Sequence, residues 1–212
     1  AKKIGVKVKF AGSAPNRAEK KLPVSEPPKS VPGDENTALS HYKIGTDFNN
    51  QKKYEEAVKA FREALKIKPD YAEAYFAMGA SYMKLELFRD ATREFREATR
   101  LNPNFGVAHY NMGISYYVLG EYRNAIEAYR EALRINPGDA DGHFNLGVVY
   151  DLVHDGTNAI ASMLHAEDAF ESKEDVDGLA SAQEKLAEYY DKYGVDPDDS
   201  EFEPTDPEDS LN

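Results

Sequence analysis

Hydrophobic positions in the middle of the chain recur in pairs of amphipathic helical stretches. Over residues 108–119, and again over 122–135, apolar side chains stand three and four positions apart, which is the spacing of one helix face. Similar pairs flank this one on both sides, and each pair occupies 34 residues. The pattern therefore predicts an all-α array in which helix pairs are connected by short turns.

Small residues and aromatic residues keep this 34-residue step. It relates three sets of positions, namely Gly45, Gly79, Gly113 and Gly147; Ala57, Ala91, Ala125 and Ala159; and Ala64, Ala98, Ala132 and Ala166. Between the two alanines of each unit lies an aromatic, at Phe61, Phe95 and Tyr129. Small residues let two helices approach closely, and the aromatic fills the space beside them. We therefore expect each unit to pack as one antiparallel helix pair.

The fourth unit departs from this pattern. Met163 replaces the aromatic between the alanines, and Glu171 stands where Pro69, Pro103 and Pro137 end the earlier second helices. We interpret the unit as a real but irregular repeat with a longer second helix.

A further amphipathic helix is predicted after the fourth unit. Its apolar stripe consists of Val176, Leu179, Leu186, Tyr190 and Tyr193, and it is expected to end near Gly194. One apolar stripe with a polar opposite face is typical of a helix that caps the end of a repeat array.

The most regular unit is GVAHYNMGISYYVLGEYRNAIEAYREALRINPGD, residues 106–139. It resembles the tetratricopeptide repeat (TPR) family. The resemblance implies a right-handed superhelical solenoid of antiparallel helix pairs, with a C-terminal capping helix and non-globular tails. The expected repeats are 38–71, 72–105, 106–139 and 140–173, and the expected capping helix is 174–194.

The two ends of the chain have a different composition. Residues 1–37 form a basic, proline-containing arm, and residues 195–212 form an acidic tail that we expect to be disordered. Within the arm, Ile4, Val6, Val8 and Phe10 alternate with lysine and glycine, which predicts a strand at residues 3–10. Such a strand would add to the sheet edge of a partner or lie extended in a groove. The alternative is a frayed tail with accidental alternation.

Charge and composition exclude several classes of function. The formal net charge of −12 argues against nucleic-acid binding, which needs a basic face. No apolar run approaches the roughly 18 residues of a membrane span. The absence of cysteine fits a reducing compartment and slightly favours the cytoplasm, although the periplasm stays open.

The family resemblance also implies where a ligand binds. The first helix of each unit lines the concave side of the array, and positions 2, 5, 6, 9 and 12 of the unit face the ligand. The expected contact residues are Tyr42, Thr46, Asn49, Phe76, Ala80, Met83, Tyr110, Asn111, Ile114, Tyr117, Phe144, Asn145 and Val148. Because aromatic residues and asparagine are common at these positions in the family, packing alone is the alternative explanation.

The chemistry of this predicted groove favours some ligands over others. Chaperone-binding members of the family hold a C-terminal carboxylate with Lys or Arg at positions 2, 5 and 6 and with Asn at positions 6 and 9, whereas the corresponding positions here are Tyr42, Thr46, Ala77, Val107 and Asn111. A carboxylate clamp without cations lacks charge-assisted hydrogen bonds. Acids at Glu73, Asp141 and Asp151 indicate instead a neutral or basic, apolar protein or peptide partner.

Histidines at position 4 of three units raise the question of a metal site. His41, His109 and His143 are separated by whole numbers of repeat lengths. Neighbouring helices lie roughly 8–10 Å apart, while the ligands of one zinc ion each lie about 2 Å from it. One ion therefore cannot collect them, and we expect packing residues, no metal and no cofactor. With no phosphate-binding, dinucleotide-binding or metalloprotease motif in the sequence, we expect no enzymatic activity.

The sequence therefore predicts a non-enzymatic scaffold or complex-assembly factor that binds a partner in the concave groove. The alternative is a structural subunit of a larger complex, anchored through its N-terminal arm and convex face. Self-association through the groove or the arm also stays open.

Overall fold

The computed structural model describes residues 35–197, and the part of the chain that it describes consists of nine α-helices. They are α1 (Glu35–Asn50), α2 (Tyr54–Ile67), α3 (Ala72–Lys84), α4 (Phe88–Leu101), α5 (Gly106–Val118), α6 (Tyr122–Ile135), α7 (Ala140–Leu152), α8 (Gly156–Ser172) and α9 (Val176–Tyr193). This confirms the predicted all-α repeat architecture. The predicted strand at 3–10 and most of the acidic tail lie outside the described residues.

The described helices belong to two compact units, separated after Gly120. In the N-terminal unit, residues 35–120, α2 packs against α1 and α3, and α4 packs against α3 and α5. In the C-terminal unit, residues 121–197, α7 packs against α6 and α8, and α8 packs against α9. Each helix thus buries one face against its chain neighbours, as expected for stacked repeats.

Glycine allows a close approach inside three of the helix pairs, α1–α2, α3–α4 and α7–α8. A Cβ atom added at Gly45 would lie 2.6 Å from Cε1 of Phe61, and one added at Gly79 would lie 2.8 Å from Cε1 of Phe95. Both phenylalanines are fully buried. In the fourth pair, Gly147 faces the Ala159 carbonyl oxygen, 3.1 Å from the position of such a Cβ. The shared glycine therefore allows a close approach in all three pairs, although the fourth has no aromatic.

The turns inside the repeats also keep the 34-residue step. Lys52, Glu86 and His154 adopt positive φ angles of 60°, 60° and 61°, and Gly120 at the equivalent position has a φ of 74°. Only glycine adopts this conformation without steric cost, so three repeats tolerate a non-glycine residue there. The shared turn geometry supports the interpretation of α7 and α8 as a repeat.

A ladder of polar contacts connects successive repeats in the N-terminal unit. The Arg62 guanidinium donates a hydrogen bond to the Tyr82 hydroxyl at 3.1 Å, and Arg96 donates to Tyr116 at 2.8 Å. Each pair joins the second helix of one repeat to the first helix of the next. This ladder was not predicted, although the two arginines are 34 residues apart and so are the two tyrosines.

The helix α9 closes the C-terminal unit as the predicted cap. It packs against α8, with Gly178 against the ring of Phe170, and it ends at Gly194 in the left-handed conformation. Ala182, Leu186 and Tyr189 are buried. The predicted stripe was wrong at its first position, because the side chain of Val176 lies at the helix start and is 75% exposed. Among the described helices, none combines the length and apolar character that a membrane-spanning segment needs.

Candidate partner-binding face

The first helices of successive repeats lie side by side in the N-terminal unit, where α3 contacts both α1 and α5. Their residues at positions 2, 5, 6, 9 and 12 are named here the A-helix face. This face contains ten of the predicted contact residues, namely Tyr42, Thr46, Asn49, Phe76, Ala80, Met83, Tyr110, Asn111, Ile114 and Tyr117. Each predicted residue is described below within its own unit.

Aromatic rings at position 5 are held between other rings. The centroid of the Tyr42 ring lies 5.7 Å from that of Phe61 and 5.1 Å from that of Tyr71. Phe76 shows the same arrangement, 5.8 Å from Phe95 and 4.9 Å from Phe105. Both position-5 rings are half-buried. Their packing fixes their orientation, so little side-chain entropy would be lost when a ligand covers the exposed part.

The outer rings of these two stacks, Tyr71 and Phe105, were missed by sequence reasoning. They occupy the last position of the first and second repeats and are 34 residues apart. That spacing was a usable signal. It ends with the second repeat, since Asp139 and Lys173 hold this position in the third and fourth.

Polar groups on the face are partly engaged already. The Asn49 side-chain oxygen accepts a hydrogen bond from the buried hydroxyl of Ser81 at 2.9 Å, and the Thr46 hydroxyl donates to its own helix at the Tyr42 carbonyl. With its oxygen engaged, Asn49 presents its amide N–H donors to a ligand. Asn111 is half-buried, as are Ala80, Tyr110 and Tyr117.

Four predicted contact residues are buried. Met83 and Ile114 are each 6% exposed, Phe144 is 4% exposed and Asn145 is 1% exposed. Phe144 of α7 packs edge-on against Phe170, with ring centroids 6.4 Å apart. In the conformation described, these four side chains offer little surface to a ligand. Of the predicted α7 residues, Val148 is half-exposed.

One of the acids used to predict ligand charge is neutralised within the C-terminal unit. The Asp151 carboxylate lies 2.6 Å from the Lys192 ammonium and accepts a hydrogen bond from the Tyr193 hydroxyl at 2.8 Å. The charge of Asp151 therefore helps to hold α9 against the fourth repeat. It is already paired, so it does not serve to select a basic ligand. Of the three acids used for that prediction, Glu73 and Asp141 remain.

The recurring histidines have a structural role in the turns between repeats. The His109 Nε2 atom lies 3.1 Å from the Pro103 carbonyl oxygen, and the His143 Nε2 atom lies 2.8 Å from that of Pro137. Each histidine thus satisfies the carbonyl of the proline that ends the preceding repeat. Within residues 35–197, no group of three or more His, Asp or Glu side chains is arranged to hold a metal ion.

The second repeat contains a buried carboxylate. Glu94 is 5% exposed, and Arg93 donates two hydrogen bonds to its Oε1 atom at 3.0 and 2.9 Å. The equivalent residues in the other repeats are Ala60, Ala128 and Ser162. Burial raises the pKa of Glu94, and Arg93 only partly opposes this effect. The ionised Glu94 side chain therefore destabilises the second repeat at neutral pH.

Replacing Glu94 with glutamine is expected to stabilise the chain at pH 7 and to have little effect near pH 4. The raised folded-state pKa means that the native state binds more protons than the unfolded state between the unfolded value of 4.5 and the folded value. The contribution of Glu94 to the free energy of unfolding is therefore fully present below that pH window and is lost as pH rises through it. Urea unfolding of both proteins at several pH values measures the difference, and a difference independent of pH would contradict this account.

The stacked helix pairs and the aromatic face together define a helical-repeat module of the protein-binding class. Matches to models of the tetratricopeptide repeat fall at residues 72–105 and 106–139, and a TPR repeat model matches residues 45–86. Residues 45–139 therefore belong to the tetratricopeptide repeat family. Repeats of this family serve generally as protein–protein interaction scaffolds and are typically non-enzymatic.

Solved structures share the fold. A crystal structure of MamA protein is 24% identical, covers 75% of this chain and 94% of its own, and has a TM-score of 0.61. MamA from Desulfovibrio magneticus RS-1 is 21% identical over 76% of this chain and 97% of its own, with a TM-score of 0.60. The first TPR of Spaghetti (RPAP3), bound to an HSP90 peptide, is 21% identical over 57% and 96%, with a TM-score of 0.56. A comparison with curated proteins found no match.

Proposed function

We propose that the N-terminal unit binds an extended apolar segment of a partner protein on its A-helix face, and so acts as a scaffold in complex assembly. The observation that carries this proposal is the pair of half-buried rings, Tyr42 and Phe76, each fixed by two neighbouring rings. Rigid aromatic side chains are the usual anchors of protein recognition.

Exposed apolar side chains beside these rings support the same site. At position 2, Leu39 is 39% exposed and Val107 is 49% exposed. An apolar strip edged by amide and hydroxyl groups is typical of a surface that a partner covers. The amides of Asn49 and Asn111 suit the backbone of an extended chain, which offers a donor and an acceptor at most residues.

The ligand we propose is an internal segment, not a C-terminal carboxylate. The RPAP3 neighbour was solved with the HSP90 peptide SRMEEVD. In this chain, none of the clamp positions holds a cation, since they are Tyr42, Thr46, Ala77, Val107 and Asn111. Lys43 is the cation of α1 at position 6, and Glu73 opposes an acidic ligand at position 2 of α3.

The matched variants Val107→Glu and Ile44→Glu test the location of the site. Both residues are exposed apolar side chains of first helices, 49% and 45% exposed, but only Val107 lies on the A-helix face. A peptide selected from a random peptide display library against the full chain serves as the probe. We expect Val107→Glu to weaken its binding at least tenfold, equal to about 1.4 kcal/mol, and Ile44→Glu to change it less than about twofold.

Isothermal titration calorimetry measures both affinities, and thermal melts check that each variant is folded. Equal weakening by both glutamates would contradict the assigned face. Binding that survives Val107→Glu together with Tyr110→Ala and Tyr117→Ala would favour the alternative, a subunit anchored through other surfaces. The peptide SRMEEVD is expected to bind more than tenfold more weakly than the selected peptide, and tighter binding would contradict the proposed ligand class.

A further inference from the structure

The fourth repeat differs from the second at three positions that lie together. Position 4 is His143 and position 26 is His165, where the second repeat has Tyr75 and Glu97. At the last position of the repeat, Lys173 replaces an aromatic residue. Glutamate also occupies position 26 in the first and third repeats. Basic side chains have thus replaced an acid and two aromatics in one repeat.

The His143 ring is held in a partly buried position between the start of α7 and α8. Its Nε2 atom is 2.8 Å from the Pro137 carbonyl oxygen, so Nε2 carries the hydrogen in the neutral ring. The Nδ1 atom is buried and has no hydrogen-bond partner among the described residues. A second proton would therefore be placed on a nitrogen that is buried from solvent and has no acceptor within this part of the chain.

The groups that face this ring add to the cost of protonation. The His165 ring on α8 lies 5.2 Å away between centroids. Lys173, after α8, is directed towards the turn, where it donates a hydrogen bond to the Gly138 carbonyl oxygen at 2.6 Å. Asp139, just before α7, is the acid near the ring. Burial lowers the pKa of His143 most, His165 and Lys173 lower it further, and the Pro137 carbonyl and Asp139 oppose them.

We propose that His143, His165 and Lys173 form an acid-responsive cluster that loosens the α7–α8 pair as pH falls from about 7 to about 5. Opening the pair exposes His143 to water, where the ring takes up a proton that the closed pair resists. A histidine with a depressed folded-state pKa gives stability that is present above its unfolded pKa of 6.5 and is lost as pH falls through the folded value.

Hydrogen exchange of the full chain tests the proposal. If opening of the α7–α8 pair takes up one proton, its equilibrium constant rises by up to about tenfold for each unit by which the pH falls. This holds between the unfolded and the folded pKa of His143. After correction for intrinsic exchange rates, we expect peptides from α7 and α8 to lose at least about tenfold in protection between pH 7.5 and pH 5, relative to peptides from α3 and α4.

The repeats themselves supply the matched variants. His165→Glu restores the residue of the other repeats at an exposed site, and it should reduce the loss of protection to less than about threefold because a carboxylate stabilises the protonated ring. His143→Tyr copies Tyr75 and should remove the loss. His109→Tyr replaces the other proline-bonded histidine and should leave the response of α7 and α8 unchanged.

Two results would overturn the proposal. One is equal protection of α7 and α8 at both pH values in the wild-type chain. The other is an undiminished loss in His165→Glu, which would separate the acid response from the cluster. Should His143→Tyr unfold the repeat at pH 7.5, the exposed His165→Glu variant still decides the question. None of these readouts depends on a ligand, so failure here is distinct from failure of the proposed binding face.

Discussion

Replacing Phe95 with alanine is expected to lower the free energy of unfolding by about 3–5 kcal/mol. The ring is fully buried, lies against Gly79 and stacks with Phe76 at 5.8 Å between centroids. Its loss leaves a cavity between α3 and α4 that the backbone cannot fill, and it removes one of the two rings that orient Phe76. Urea unfolding followed by circular dichroism measures the stability, and the same variant should weaken binding of the display-selected peptide.

Gly79, which faces the Phe95 ring, provides the control for this prediction. Gly79→Ala brings a Cβ to 2.8 Å from the ring and is expected to cost about 1–3 kcal/mol, despite the better helix propensity of alanine. Combining Gly79→Ala with Phe95→Leu should cost less than the sum of the two changes, because the smaller side chain relieves the clash. Gly138→Ala, with nothing within 4 Å, should change stability by less than about 0.5 kcal/mol. Additive costs in the double variant would contradict this packing.

Replacing Tyr189 with alanine is the second large effect, with an expected cost of about 3–4 kcal/mol to the C-terminal unit. Tyr189 is 1% exposed and packs edge-on against Tyr193, with ring centroids 6.4 Å apart. Tyr193 in turn covers Gly156 and donates a hydrogen bond to Asp151. The change therefore removes buried area and also loosens the contact that holds the end of α9 to the fourth repeat.

Hydrogen exchange localises that effect. Protection should fall across α8 and α9 in Tyr189→Ala, and much less in α3 and α4, because repeat proteins are stabilised mainly by neighbour contacts. Val176→Ala is the matched control on the same helix, since this side chain is 75% exposed and its loss should cost less than about 0.5 kcal/mol. A uniform loss of protection over all helices, or no loss in α8, would contradict the role of α9 as a local cap.

The periodic residues made the fold predictable from sequence. Gly45 and Gly79 meet Phe61 and Phe95 as expected, and Gly147 meets the backbone of Ala159, because close helix packing admits few residue types at these positions. The orientation of α9 was harder to predict. Gly178, Ala182 and Tyr189 belong to its buried side. Glycine and alanine add little to the hydrophobic pattern in the sequence, so larger neighbours such as Tyr190 dominate the predicted apolar stripe.

The candidate site was predictable by position but not by accessibility. Position 5 was assigned to ligand contact in every repeat, yet Phe144 is buried whereas Phe76 is half-exposed, because Phe144 packs against Phe170 of α8. Likewise, Asp151 was counted among the acids facing a ligand, but its partners Lys192 and Tyr193 lie 41 and 42 residues further along the chain. Such contacts depend on how α9, which is not one of the repeats, packs against the fourth repeat. The 34-residue period does not predict that packing.

The most direct test of the proposed binding face is a map of amide chemical shifts in the full chain saturated with the display-selected peptide. The account predicts that the largest changes lie in α1, α3 and α5, centred on the A-helix face near Tyr42, Phe76 and Tyr110. At a peptide concentration equal to the wild-type Kd, Val107→Glu should reduce these changes about fivefold or more, and Ile44→Glu should largely preserve them. Changes centred on α2 and α4, with α1, α3 and α5 unaffected, would contradict the account.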